Sequence, residues 1–238
     1  MKILGLSSFK TVKGERLGIL TGIIYLVPAD GFSPSVNLCP GASRGCREAC
    51  LFSAGRGRMR PVIEGRRRKT ALYLDEREEF FALLRKDIHA LVRKAKRENM
   101  TPAVRFDGTS DTGEGVALAR EFPDVEWYDY TKVANRFSRD LPANYSLTFS
   151  RSESNEKTAL RLLRAGRNVA VVFRGHLPEM WEGSIVIDGD KSDARFLDPV
   201  AAPGQPGYVV GLTEKGLAKK DATGFVVEPG AELVGRAV

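Results

Sequence analysis

Ala103-Val104-Arg105-Phe106-Asp107-Gly108, Gly115-Val116-Ala117-Leu118-Ala119-Arg120-Glu121 and Val125-Glu126-Trp127-Tyr128-Asp129-Tyr130 follow one another with short polar stretches between them. The first and third runs are apolar, short and rich in β-branched and aromatic residues, so they read as strands. The middle run reads as a short helix. Strand, helix and strand in this order predict parallel pairing. Upstream, Phe80, Leu84, Ile88, Leu91 and Ala95 recur at three or four residues and predict one long helix over Thr70–Asn99, closed by Pro102. Downstream the pattern continues, with a strand at Tyr145–Phe149 and a helix at Asn155–Ala165 stopped by Gly166. Further strands are read at Asn168–Phe173, Ser184–Ile187, Val209–Gly211 and Phe225–Val227.

Before the long helix, Leu17–Ala29 reads as a buried strand or hairpin strand. It leads into a loop, Asp30–Gly45, that holds Gly31, Pro34, Pro40, Gly41 and Gly45. Short, evenly spaced strands alternating with helices predict an α/β fold. A (β/α) barrel or partial barrel, with a cysteine loop after an early strand, is favoured over an open doubly wound sheet. No repeat or low-complexity linker divides 1–238, which predicts a single domain.

The whole chain carries a net charge of +7 with a pI near 9.4. That favours anionic partners, either small molecules or nucleic acid. The opening residues do not read as a signal peptide, and the longest apolar run falls short of a membrane span. A cytoplasmic protein without a membrane partner is expected.

The three cysteines fall together as Cys39-Pro-Gly-Ala-Ser-Arg-Gly-Cys46-Arg-Glu-Ala-Cys50. An odd number of thiols in one turn-rich stretch points to metal chemistry rather than cross-linking. Cys46 and Cys50 are four apart, so one helical turn would put them on one face. Arg44 and Arg47 would favour thiolates. Three thiolates can hold three irons of a [4Fe-4S] cluster and leave the fourth iron open to substrate. Zinc is the alternative, with His176 as the fourth ligand, because His89 lies inside the long helix. Residues Arg44–Lys69 include nine basic side chains against Glu48 and Glu64. Within this stretch Arg66, Arg67 and Arg68 are candidates for phosphate contacts.

Five strands end in polar tips, and ligands of α/β proteins bind beyond such ends. Asp107, Asp129 and Asp188 are candidate general bases or hydroxyl binders, and Lys132 joins them as a catalytic candidate. Asp111, Ser150, Arg151, Arg174 and Asp190 are candidate substrate or anion binders. Walker, G-x-G-x-x-G and H-E-x-x-H motifs are absent from the sequence.

The cysteine loop, with Val104–Gly113, Trp127–Lys132 and Tyr145–Ser154, resembles the gene product 88 domain family of phages and plasmids. The resemblance implies a phage or mobile-element origin, and a host-cytoplasmic location for a phage-encoded chain. It brings no settled activity. More distantly, a three-cysteine loop after the first strand of a (β/α) barrel is similar to radical S-adenosylmethionine enzymes, which implies that cofactor. Those enzymes typically use C-x3-C-x2-C, against C-x6-C-x3-C here. The place of their glycine-rich segment reads Asp107-Gly108-Thr109-Ser110-Asp111. Together these readings predict an iron–sulfur enzyme acting on an anionic substrate such as a nucleotide or nucleic acid. The alternative is a non-catalytic nucleic-acid-binding protein stapled by zinc or iron–sulfur.

Overall fold

The computed structural model describes residues 1–6 and 13–230. The fold is α/β. The strands are β1 (Ile19–Ile23), β2 (Thr101–Arg105), β3 (Glu126–Thr131), β4 (Tyr145–Ser150), β5 (Val169–Phe173), β6 (Met180–Trp181), β7 (Ser184–Asp188), β8 (Val209–Thr213) and β9 (Val226–Val227). The helices are α1 (Arg44–Glu48), α2 (Arg60–Asp75), α3 (Arg77–Arg97), α4 (Gly115–Glu121) and α5 (Glu156–Arg164). The sheet runs β1-β2-β3-β4-β5-β8-β7-β6, parallel except for the β6–β7 hairpin.

The sheet is not closed into a barrel, because among the described residues no ladder joins β1 to β6 or β7. The free edge of β1 is instead covered by Gly5, which exchanges backbone hydrogen bonds with Ile23. The sheet still curves enough for side chains to cross the gap. Arg105 on β2 meets Asp193, beyond β7, at 3.2 Å, and Lys13 donates to the Asp190 carbonyl.

Strand alternation explains the two faces. Leu20, Val104, Trp127 and Tyr145 pack under α2, α3 and α4, and Phe149, Val169, Val171 and Phe173 pack with α5. A doubly wound sheet would carry helices on both faces. Here the other face, with Ile19, Ala103 and Tyr128, is covered by Ala194 and Phe196 from the segment after β7.

Where one helix over Thr70–Asn99 was expected, there are two. The first begins at Arg60, with Pro61 in its opening turn, and the chain breaks at Glu76 (φ −132°). The break re-aims the apolar stripe, so that Tyr73 and Phe80 meet edge-to-face at 5.2 Å. The basic run Arg66–Lys69 hides the start of α2 from a reading based on apolar periodicity. Of Leu17–Ala29, only Ile19–Ile23 is strand. Ile24, Leu26 and Val27 stay buried beyond it, and the Val27 N–H donates to the Thr70 hydroxyl at 2.9 Å.

At their far ends β4 and β5 part. They pair at Phe149–Val169 and Ser150–Ala170, and beyond that β9 takes the β5 edge at Val172 and Phe173. Arg151 fills the fork, donating to the Phe225 carbonyl at 3.0 Å.

Candidate functional site

Parallel pairing brings the carboxyl ends of β1 to β5 to one edge, and the cysteine loop folds over it. Cys39 sits beside the tip of β2, its thiol 3.7 Å from the Thr109 carbonyl. Ser43 caps α1 by accepting the Cys46 N–H at 3.1 Å. From the tip of β4, Glu153 accepts the Ser43 hydroxyl and the Gly45 N–H, both at 2.8 Å. Two glycines allow the approach. A Cβ on Gly41 would stand 2.7 Å from the Lys132 Cβ, and one on Gly45 would stand 2.7 Å from the Phe225 Cβ. Cys46 and Cys50 do not share a helical turn. The helix stops at Glu48, and Cys50 opens the next 3-10 turn, its sulfur accepting the Phe52 N–H at 3.5 Å.

All three cysteines are half-buried, and none is in a disulfide. Burial pushes the Cys39 thiol up to about 12, and the neighbouring Cys50, Asp111 and Cys46 add to the rise. Burial also raises Cys50, while the charges of Lys132 and Arg66 oppose the rise. These are the cations that act on Cys50. Arg44 and Arg47 turn outward to Glu48 (2.8 Å) and Asp30 (2.6 Å). The thiols thus share one electrostatic neighbourhood. Among the described residues, however, no three His, Cys, Asp or Glu side chains are arranged to hold a metal ion.

Lys132 lies near enough to Cys50 for its charge to act on the thiol. Its ammonium donates to the Ser150 hydroxyl at 2.6 Å and lies 5.5 Å from the Phe225 ring centre. Its backbone N–H donates to Asp111 at 2.9 Å, and the Asp111 N–H donates to the Leu38 carbonyl, next to Cys39. Burial raises the Asp111 carboxyl, while Arg136, 2.7 Å away, pulls it down.

Asp107 and Asp129 lie deeper. The Asp107 carboxylate accepts from the Ser110 hydroxyl, the Thr112 N–H and hydroxyl, and the Gly113 N–H, so it organises the loop after β2. Asp129 is on the helix-covered face. It accepts the Asp107 N–H at 2.6 Å and the Tyr145 hydroxyl at 2.8 Å, and burial raises its pKa.

The other candidates are dispersed. Arg151 pairs with Glu156 in the β4–β5 fork. Arg174 pairs with Glu228 and donates to the Lys219 and Asp221 carbonyls. Asp188 is exposed at the end of β7. Asp190 accepts from Thr213 and pairs with Lys215. Burial works against its carboxylate, but those partners hold it below the usual range. Arg66 lies between the rings of Tyr25 and Phe52, at 5.1 and 4.8 Å, and Arg67 lies over Phe32, while Arg68 is exposed. His176 is exposed beyond β5.

Glu153 and Arg136, which bond into this rim, and Arg105, buried beneath it, were not singled out in the sequence. Glu153 looked like one polar residue in a turn. The partners of Arg136 and Arg105 lie in other segments, so nothing local marks them. Buried Arg105 meets Asp193 and sits 4.5 Å from the Tyr130 ring centre, while the Tyr128 hydroxyl donates to Asp193 at 3.1 Å. Burial works against the guanidinium charge, and the Asp193 carboxylate more than restores it.

Fold and site define an α/β protein with an open, largely parallel sheet and a three-thiol loop over its carboxyl edge. Residues 5–229 match the gene product 88 family, and the chain belongs to that family. No curated protein and no solved structure matches the chain. No helix among the described residues is long and apolar enough to cross a membrane.

Proposed function

We propose that Cys39, Cys46 and Cys50 hold a [4Fe-4S] cluster with one open iron, and that the protein is an enzyme acting on an anionic substrate at this rim. The observation that carries the reading is the setting of the thiols. Three cysteines without a disulfide share one neighbourhood, and Lys132 and Arg66 act on Cys50. Burial disfavours bare thiolates at Cys39 and Cys50, and a bound metal is what turns buried thiols into ligands. The sulfurs are not preset at metal-holding distances, so loading requires the loop to tighten. In this reading Lys132 and Ser150 bind an anionic group of the substrate beside the open position. The three-cysteine loop after an early strand, without the barrel, is the one feature that makes S-adenosylmethionine a ligand to test at that position.

Protein purified without oxygen and supplied with iron and sulfide is expected to be brown. It should absorb near roughly 400 nm and hold about four irons per chain. Replacing the three cysteines with serine should abolish the colour. A colourless chain with stoichiometric zinc overturns the cluster, and leaves as the reading to test a metal-stapled, non-catalytic nucleic-acid-binding protein.

A further inference from the structure

Next to the cysteine loop, two segments distant in sequence build one cationic surface. The 3-10 turns Leu51–Ser53 and Gly55–Arg58 lead into α2, and a third turn, Gly216–Lys220, packs beside them. A Cβ on Gly216 would lie 3.0 Å from the Ala54 Cβ. No acid occurs between Glu48 and Glu64, and none between Glu214 and Asp221. Arg56, Arg58, Arg60, Lys219 and Lys220 are all exposed. None of them makes an ion pair with another described residue. The carboxylate of Asp221 is already engaged by the Thr223 hydroxyl at 2.7 Å and the Val226 N–H at 2.9 Å. Lys220 also lines an open cleft of roughly 500 Å3 with Arg44, Glu48, Glu153 and Thr223, on the flank of α1.

The contrast with Arg66 and Arg67 is informative. Those two guanidiniums lie over aromatic rings and donate to backbone carbonyls. No such contact engages the five surface cations among the described residues, and the packing of Gly216 against Ala54 sets their two like-charged segments side by side. A polyanion relieves the repulsion between them and releases its own counterions. The cations are spread over two turns and a helix start, which is more than a single small phosphate can meet. The thiols beside them are half-buried, so a partner that reaches them must turn a group inward. An unpaired strand can do so, whereas a duplex keeps its bases stacked.

We infer that the surface formed by Arg56, Arg58, Arg60, Lys219 and Lys220 binds the phosphate backbone of a single nucleic-acid strand and leads it to the cysteine site. The inference deepens the proposed function and rests on its reading that the rim takes an anionic substrate.

The test is binding of a fluorescent single strand of about 20 nucleotides across a salt series, with wild type, Arg56→Gln/Arg58→Gln and Lys219→Gln/Lys220→Gln. Binding should weaken as salt rises. Each double variant should lower the slope of log K against log salt by about 1.4, or about 0.7 for each phosphate that is no longer neutralised. The substitutions are at exposed positions, and unchanged thermal melting will show that the fold is intact. Wild-type slopes in both variants overturn the inference. So does a duplex that binds as tightly as the single strand, or polyglutamate of matched charge that competes as well as the strand. The assay runs with and without metal, so failure of the cluster leaves it readable. Strand binding in a chain that never takes up iron sinks the cluster alone.

Discussion

Glu153, at the tip of β4, accepts the Gly45 N–H at 2.8 Å, and so ties the helix that carries Cys46 to the sheet edge. Its second oxygen takes the Ser43 hydroxyl, which in turn caps the same helix. One carboxylate thus sets the height of the cysteine loop above β4. Glu153→Ala is expected to cost about 2 kcal/mol, because two hydrogen bonds to a charged group in a partly buried place disappear. Cys46 should then react faster with an alkylating reagent. Glu153→Gln, which keeps one acceptor oxygen, should fall between. Unchanged thiol reactivity in Glu153→Ala would rule out the tether.

The approach of α1 to the C-terminal segment depends on the missing side chain at Gly45. A methyl there would run into Phe225 and the Thr223 hydroxyl. Gly45→Ala should therefore destabilise by about 1–3 kcal/mol, as overpacking does. Gly65→Ala, with nothing within 4 Å of its Cβ position, is the matched control and should be neutral or slightly stabilising. Equal melting temperatures for the two variants would contradict the packing described.

Asp107 separates a structural from a catalytic role. Four donors converge on its fully buried carboxylate. Asp107→Ala should lower stability by about 3 kcal/mol, because buried donors are left without partners. Urea unfolding measures this. A variant with wild-type stability that nonetheless loses activity would return Asp107 to the catalytic role.

Asp198 predicts a pH dependence. Burial raises its carboxyl to about 6, although Arg195 beside it pulls the other way. A carboxyl raised on folding binds its proton more tightly in the native state. Its stabilising contribution is full below the unfolded value of about 4 and is lost as pH rises toward about 6. The melting temperature of the wild type minus that of Asp198→Asn should therefore fall between those two pH values and level off above them. A difference that stays flat with pH rejects the shift.

Much of the architecture is legible locally. Apart from the two-residue β6, the strands from Thr101 onward and the helices α4 and α5 come from apolar runs and periodicity that each segment carries by itself. The cysteine cluster is equally local, since its three thiols lie within one loop. The break at Glu76 was not legible, because the apolar stripe runs on through Phe80 and the reason to turn lies in the packing of Tyr73 and Phe80. The candidate site was legible only in part. Lys132, Ser150 and Asp111 do meet beside the loop, whereas Asp188, Asp190 and Arg174 ended elsewhere with partners of their own.

The sequence alone determined the element types, the α/β class and the thiol-bearing loop, because backbone preference, apolar period and residue spacing are properties of short segments. The tertiary structure decided that the sheet stays open, that Glu153 holds the loop where Gly41 packs on Lys132, and that Arg66 lies over aromatic rings while the turn of Lys219 and Lys220 packs beside that of Arg56 and Arg58. Pairings between distant segments depend on strand order and curvature, which no short window of residues encodes.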